Sequence, residues 1–268
     1  MTQAWTPPRQ PLYLEPEGPT LLTLEGPAIC IQRKGRAETH IPLRRISRII
    51  GGPRVQLDTE VILACARHGI VMLLHDDNDI AAARIIGMAG RNTRLRQRLV
   101  DLVARPDWYN LYTNWRDAQH RRIARTVAHQ LGISEHHPKK VRHQLDRLGE
   151  YLDGKIYSDY SRRVIGELTL AWMTEHLATL GLGSEVEAWL NDRIDLPVEL
   201  GGLLAFRLEP IRIGWLRRRH QWRKRHVERI RPPERKDLIR LFEKQSRRVE
   251  RLGSDLTNRL HRWLVDLA

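Results

Sequence analysis

The sequence has few of the features of secreted or membrane-bound proteins. It contains 268 residues but only two cysteines, Cys30 and Cys65, and both lie within apolar runs. Two such thiols exclude a disulfide framework and are typical of a reducing compartment. Residues 1–19 are proline-rich and polar, unlike a signal peptide. No apolar run approaches the roughly 20 residues that a membrane-spanning helix needs. The sequence therefore predicts a cytoplasmic protein without membrane contact.

Recognisable catalytic and cofactor motifs are also scarce. No serine has the surroundings of a nucleophile elbow, and Gly181-Leu182-Gly183 lacks the third glycine of a dinucleotide-binding loop. The twelve histidines show no ligand spacing. The acidic segment 76–79 lacks the spacing of a calcium loop, so we interpret it as an ordinary solvated turn. These motifs therefore give only weak support to a serine nucleophile or a dinucleotide-binding enzyme.

What the chain has in excess is positive charge. Its 46 Lys and Arg outnumber 32 Asp and Glu, which gives a net charge of +14 and a sequence pI near 10.5. The excess is concentrated in residues 217–251, where 15 Lys or Arg face five Asp or Glu. Such a block binds phosphates and releases their counterions. The alternative is a solvated basic face, but interleaved Trp215 and Trp222 favour nucleic acid, because an indole stacks on unpaired bases. The predicted DNA-binding residues are Arg217, Arg218, Arg219, Trp222, Arg223, Lys224 and Arg225.

The periodicity of apolar residues changes near residue 87. Residues 20–86 contain short apolar or alternating runs, including 28–33 and 36–43 around a Lys34-Gly35 turn, which are typical of strands. Residues 87–268 repeat at helical spacing, as in Leu95, Leu99 and Leu102. We therefore predict an α+β fold with a proline-rich arm at 1–19, a small β domain at 20–86 and a larger all-α domain at 87–268. Prolines 197, 210, 232 and 233 are predicted to interrupt the helices near the C-terminus.

This order of elements resembles that of the CRISPR-associated integrase, the spacer-acquisition endonuclease. The likeness rests on IPLRRISRIIGG followed by VQLDTEVILACARHGIVMLLHDD and AARIIG, on the helix that ends in ATLGLG, and on ELGGLLAFRLEP. It covers about residues 20–215. The resemblance implies a role in antiviral defence, binding to duplex or branched DNA, and pairs of homodimers bridged by a small ferredoxin-like partner protein.

The resemblance also implies three metal ligands, of which two positions hold leucine here. The family uses a glutamate on its first long helix, then a histidine and an aspartate, to bind a divalent ion that assists attack on a phosphodiester. By alignment the histidine falls at or next to Leu190 and the aspartate at or next to Leu203. The glutamate falls near 116–118, where only Asp117 is a candidate ligand and catalytic residue. Leucine cannot coordinate a cation, so the expectation is a protein without a cofactor.

Other acids near these positions leave a rebuilt Mg²⁺ or Mn²⁺ site as an alternative. Asp117 would then act with Glu187 and Asp192. Further candidates are Glu185, Asp195, Glu199 and Glu209, with His120 or His176 as the nitrogen ligand. Their alternation with apolar and basic residues is more typical of a solvated loop with local ion pairs, and this is the interpretation we favour.

Three functions follow from these observations. The first is an architectural DNA-binding subunit of the adaptation machinery that is catalytically degenerate and works beside an active paralogue. The second is an active metal-dependent endonuclease or integrase with rearranged ligands. The third is an RNA- or protein-binding module on the same scaffold.

Overall fold

The computed structural model describes residues 9–14, 18–77, 80–87, 93–182, 193–225 and 232–267. Contacts within the chain group its residues into two compact units. The N-terminal unit comprises Met1–Arg96 and Ala171–Arg193, and the C-terminal unit comprises Gln97–Leu170 and Ile194–Ala268. The strands lie in the first unit and most helices in the second, which confirms the predicted α+β class.

The N-terminal unit contains two four-stranded sheets. Their strands are β1 (Gln10–Leu14), β2 (Thr20–Glu25), β3 (Ala28–Arg33), β4 (Thr39–Pro42), β5 (Ile46–Gly51), β6 (Val55–Leu57), β7 (Val71–His75) and β8 (Ala81–Ile85). One sheet has the order β1-β5-β7-β8, and the other has the order β4-β3-β2-β6. In the first sheet β5 is parallel to both of its neighbours, while β8 runs antiparallel to β7. In the second, β2-β3-β4 is an antiparallel meander, and β6 runs parallel to β2.

The core of this unit is built from alternate residues of the strands and one face of helix α1 (Thr59–Arg67). Leu22, Ile29 and Ile31 contribute from β2 and β3, and Val61 and Cys65 contribute from α1. All six residues of β5 are buried, as a strand between two neighbours requires. Asp58 is the N-cap residue of α1, although its side chain makes no capping hydrogen bond.

Two strand predictions differ from the structure in detail. The turn at Lys34-Gly35 is present, with Gly35 at φ 76°, but β4 begins at Thr39, three residues later than predicted. Within the proline-rich residues 1–19, Gln10–Leu14 form strand β1, which pairs with β5. The run Leu12-Tyr13-Leu14 is too short to have been recognised as a strand beside so many prolines.

The remaining helices are α2 (Arg94–Val103), α3 (Trp108–Leu131), α4 (Pro138–Asp153), α5 (Lys155–Thr179), α6 (Leu196–Arg225), α7 (Arg235–Lys244) and α8 (Ser246–Asp266). Helix α3 ends at Gly132, whose left-handed conformation (φ 68°) closes the helix. The prediction that Pro210 interrupts a helix is wrong, because α6 continues through it. Pro197 instead occupies the first turn of α6, where its missing N–H costs nothing. None of the described helices is long and apolar enough to cross a membrane.

Candidate functional site

Helix α6 changes character along its length. Its first half is buried and apolar, and includes Leu200, Leu203, Leu204 and Phe206. Gly201 permits a close approach to α5, since an added Cβ would lie 3.2 Å from the Cα of Leu170. The second half, from Arg217 onward, contains the basic residues predicted to contact DNA. The helix therefore extends from the core of the C-terminal unit to its basic surface.

A buried polar network joins the middle of α6 to α5. Arg212 is fully buried and donates to Glu209, with Nη2 2.7 Å from Oε2 and Nε 3.1 Å from Oε1. Its Nη1 also lies 3.2 Å from the carbonyl and hydroxyl oxygens of Ser158 and from the hydroxyl of Ser161. Gly149 makes room for this arrangement, because an added Cβ would meet Ser158 Oγ at 2.1 Å. The network holds α6 in place, and the positive charge of Arg212 is paired with Glu209 inside the protein.

Two of the seven predicted DNA-binding residues are engaged by a buried acid. Asp153, the last residue of α4, has a fully buried side chain. Its carboxylate accepts a hydrogen bond from Arg219 Nε at 2.9 Å and forms a second ion pair with Arg223. His220 Nδ1 lies 2.8 Å from the carbonyl oxygen of Leu152. This stretch of α6 is thus anchored to the end of α4.

The other five predicted residues, Arg217, Arg218, Trp222, Lys224 and Arg225, are exposed. Trp222 is 44% exposed, which is unusual for an indole. It lines a cleft of about 530 Å³ between α6 and α7. The cleft is lined by Trp215, Arg218, Arg219, Trp222, Asp237, Arg240, Leu241 and Lys244. Four cationic side chains and two indoles therefore surround one concave surface.

A second cleft of about 370 Å³ adjoins the first. The two share Arg218 and Leu241, and Gln245 and Arg248 belong to the second cleft. The sequence analysis noted Trp215 but did not assign contacts to Arg240, Lys244 or Arg248. The signal was present, because Asp237, Arg240, Leu241 and Lys244 follow the three- and four-residue spacing of one helix face.

Asp237 is the one acid among the described residues that line this cleft, and its side chain forms a hydrogen bond at the start of its own helix. Asp237 Oδ2 accepts the backbone N–H of Glu234 at 3.4 Å, as part of a capping box at the start of α7. A carboxylate at a helix N-terminus is stabilised by the helix dipole and by this hydrogen bond. The other oxygen of Asp237, Oδ1, lies 4.0 Å from Nη1 of Arg240, so the carboxylate also pairs with one cation of the cleft. The four cations of the cleft still outnumber this one acid.

Among the described residues, those near the expected metal-ligand positions form no group of three or more candidate ligands. Leu203 is 0% exposed within the core of the C-terminal unit. Leu190 lies outside the described residues, as do Glu185, Glu187 and Asp192. Asp117 on α3 has a half-exposed side chain and lies 3.4 Å from the Nε of Arg116. Arg116 also binds Glu199 Oε1 at 3.3 Å.

His120 is the candidate nitrogen ligand nearest to Asp117 in sequence, and its neighbours are basic. His120 has a lowered pKa, first because it is buried and then because of the charges of Arg142 and Arg116. The guanidinium of Arg142 lies 4.4 Å from the ring centre of Phe206, and that ring in turn lies 6.4 Å from the ring of His120. The positive charges of Arg142 and Arg116 beside His120 would repel a divalent ion. Asp117 and His120 therefore do not fit a Mg²⁺ or Mn²⁺ site.

The remaining candidate ligands have structural roles. Asp195 Oδ1 accepts the backbone N–H of Val198 at 3.0 Å and so caps the start of α6. Glu209 binds Arg212 and Arg162, which are 2.7 and 3.2 Å away. His176 stacks on Trp172 in the N-terminal unit, with ring centres 4.7 Å apart. None of these described acids is directed towards Asp117 by the contacts above.

The fold resembles solved structures of one family. The structure of TM1797, a Cas1 protein from Thermotoga maritima, is similar with a TM-score of 0.74 at 11% identity, over 96% of this chain and 97% of that one. A TtCas1–DNA complex matches with a TM-score of 0.57 at 13% identity, over 94% and 91% of the two chains. A casposase bound to integration product matches with a TM-score of 0.54 at 11% identity, over 88% and 82%.

Sequence comparison leads to the same family. A comparison with curated proteins finds no match. The sequence profile of the family described as CRISPR associated protein Cas1 matches residues 12–159, which is more than half of the chain. This chain is therefore a member of the CRISPR associated protein Cas1 family.

Proposed function

We propose that this protein is a DNA-binding subunit of the spacer-integration machinery of CRISPR adaptation, and that it holds DNA without performing metal-dependent chemistry. The observation that carries the proposal is the cleft between α6 and α7, where Arg218, Arg240 and Lys244 surround the exposed indole of Trp222. Membership of the family and the similarity to proteins solved with DNA and with an integration product support the choice of DNA as ligand.

The cleft combines the two contacts that a partly unpaired DNA strand needs. Arginine donates paired hydrogen bonds to phosphate oxygens, and lysine adds a point charge. Trp222, four residues after Arg218, stands on the same side of α6 and offers its exposed face to a base. The guanidinium of Arg219 lies 5.8 Å from the ring centre of Trp215. Trp222 is the proposed stacking residue because it is 44% exposed, whereas Trp215 is partly buried.

The proposed loss of chemistry rests on residues at the ligand positions. Leu203 is in the core, and Asp117 is paired with Arg116, so the C-terminal unit offers no set of acids that suits a divalent ion at these positions among its described residues. An apolar wall beside a divalent ion would cost free energy without giving a ligand. DNA held by such a subunit would be joined by an active paralogue in the same assembly.

The partners are proposed on the same basis. A homodimer, a small ferredoxin-like partner protein and an active paralogue are the expected components. A match to a Cas6-RT-Cas1--Cas2 complex supports a partner of this kind, with a TM-score of 0.61 at 9% identity over 97% of this chain and 36% of that one.

The proposal is tested by measuring binding to branched and duplex DNA while salt is varied. The three cations of the cleft that Asp153 does not engage, Arg218, Arg240 and Lys244, predict that the logarithm of affinity falls with the logarithm of salt at a slope of about −2.7. Trp222→Ala should weaken binding to branched DNA by about 1–3 kcal/mol and binding to plain duplex by less. Arg147→Ala, which removes an exposed arginine that lines neither cleft, is the matched control and should change neither.

Cleavage assays on the same substrates separate this function from its alternatives. With Mg²⁺ or Mn²⁺ the protein should bind branched DNA and leave it intact. Cutting that is abolished by Asp117→Asn would replace the proposal with an active integrase of rearranged ligands. Tighter binding to structured RNA than to DNA, with Trp222→Ala weakening both equally, would instead favour an RNA-binding module.

A further inference from the structure

A polar cluster lies on the meander β2-β3-β4 of the N-terminal unit. Cys30 pairs across the sheet with Thr23 on β2 and with His40 on β4. Its neighbours Ile29 and Ile31 belong to the hydrophobic core. Because successive side chains of a strand point to opposite faces, Cys30 and its cross-strand partners lie on the face directed away from that core. Cys30 is nevertheless 0% exposed, so polar side chains cover a thiol that the backbone directs outward.

The side chains around this thiol are metal ligands by type and by distance. Glu25, Cys30, Glu38 and His40 each contribute one ligand atom, and the four atoms lie within 4.8 Å of one another. His40 Nε2 is 2.7 Å from Glu25 Oε2, and Cys30 Sγ is 3.9 Å from Glu38 Oε2. The other oxygen of Glu38 accepts a hydrogen bond from Gln32 Nε2 at 3.1 Å, which leaves Oε2 directed at the thiol.

From this geometry we infer that Glu25, Cys30, Glu38 and His40 form a zinc site. Ligands at zinc distances of about 2.0–2.3 Å around a tetrahedron lie about 3.5 Å apart, so small side-chain rotations would bring these four atoms into place. One sulfur, one imidazole nitrogen and two carboxylate oxygens suit a borderline ion such as Zn²⁺, whereas Mg²⁺ and Ca²⁺ require oxygen ligands throughout. The contact with Gln32 is the kind of outer hydrogen bond that orients a ligating carboxylate.

The charges of the cluster are consistent with a bound dication. Two carboxylates, those of Glu25 and Glu38, lie close to the thiol of Cys30. A divalent ion would attract both carboxylates and the thiolate at once. Three ligands come from the strands β2, β3 and β4, and the fourth precedes β4, so the ion would join the strands of the meander. The role is structural, because all four coordination positions of the ion are filled by protein.

This site does not depend on the proposed function. Its residues lie in the N-terminal unit, while the DNA-binding cleft and Asp117 lie in the C-terminal unit. Failure of DNA binding would leave the zinc site intact, and failure of zinc binding would leave the cleft intact.

The test is cobalt substitution in the full chain after removal of bound metal by a chelator. We expect about one Co²⁺ per chain, with a thiolate-to-cobalt charge-transfer band and the intense visible bands of four-coordinate cobalt. Zinc should displace the cobalt and raise the Tm. Cys30→Ser and His40→Ala should each weaken cobalt binding by at least about 100-fold. Cys65→Ala is the matched control, since it removes the other free cysteine, and it should keep the band.

Circular dichroism of each variant shows whether it is folded before cobalt is added. Cys30→Ser changes a residue outside the hydrophobic core, and His40→Ala gives a second route should the first variant not fold. Cobalt that binds without a thiolate band would overturn the inference. The inferred zinc site would also be overturned by a thiolate-to-cobalt band that survives in folded His40→Ala protein and disappears in Cys65→Ala protein.

Discussion

Arg219 donates a hydrogen bond from its Nε to the fully buried carboxylate of Asp153 at 2.9 Å, whereas its neighbour Arg218 lines two adjoining clefts. We therefore expect the two arginines to act differently. Arg219→Ala should destabilise the protein by about 2–3 kcal/mol, because a buried charged acceptor loses a donor. Arg218→Ala should leave stability within about 0.5 kcal/mol and weaken DNA binding. Urea denaturation and DNA titration of both variants measure the two effects.

Arg223→Ala extends the comparison, since Arg223 is the second partner of Asp153. It should resemble Arg219→Ala in stability. If Arg219→Ala and Arg218→Ala instead lose DNA affinity equally and lose no stability, Asp153 would not anchor α6 as described.

Substitution of Leu203 tests whether its position belongs to the hydrophobic core or to a metal site. Leu203→Ala should cost about 2–5 kcal/mol of unfolding free energy, as removal of a buried leucine does. Leu203→Asp should cost more, because a carboxylate would be buried without a partner. Thermal unfolding with and without Mn²⁺ measures both. A folded Leu203→Asp protein whose Tm rises with Mn²⁺ would show that a metal position survives there.

The titration of His120 is expected to contribute to the pH dependence of the free energy of unfolding. Its pKa is lowered in the folded protein by burial and by Arg142 and Arg116, while Asp117 opposes the shift. The unfolded chain, in which histidine titrates near 6.5, therefore binds more protons than the folded protein. This component is present above about pH 6.5 and is lost as pH falls through the folded pKa, at up to about 1.4 kcal/mol per pH unit.

His120→Gln should remove this component and flatten the stability profile between neutral and mildly acidic pH. The chain has eleven other histidines, so the informative quantity is the difference between the two profiles. Denaturant unfolding across this pH range measures it. Parallel profiles would mean that His120 titrates alike in the folded and unfolded states.

Gly149→Ala tests the packing beside Arg212. Alanine favours helix by about 1 kcal/mol over glycine, so an exposed site would be stabilised. Here the added Cβ would meet Ser158 Oγ at 2.1 Å and lie 3.5 Å from Arg212 Nη2. We expect a net loss of about 2 kcal/mol. In a double-mutant cycle Ser158→Ala should recover part of it, because the clashing oxygen is removed. Additive effects would show that the oxygen and the new methyl group do not meet.

Sequence patterns were sufficient for part of the strands and most helices of this chain. Strand β3, predicted at 28–33, and helix α2, predicted from the spacing of Leu95, Leu99 and Leu102, follow from apolar periodicity. Strand β1 did not follow, because a five-residue strand in a proline-rich segment is decided by its pairing with β5, which lies 36 residues away along the chain. Helix α6 continues through Pro210 because its surroundings are packed, and tertiary packing overrides local propensity.

From the sequence, the proposed DNA-binding surface could be located only by the basic composition of its segment. The basic block from Arg217 identified α6, but Arg219 and Arg223 are indistinguishable from Arg218 until Asp153 is placed beside them. Likewise, Cys30 looks like a core residue in an apolar run, and only the register with His40 shows that it lies on the other face of the sheet. One residue of register decides between these two environments.

The position of β1 also affects how the protein can be shortened. It is the edge strand of its sheet, and its neighbour β5 consists of six buried residues. A truncation that began after Leu14 would unpair those backbone N–H and C=O groups of Ile46–Gly51 that bond to β1, and β5 would become an apolar edge strand. Such an edge is a template for pairing between molecules, so the shortened protein would be expected to aggregate even though every cleft residue was still present.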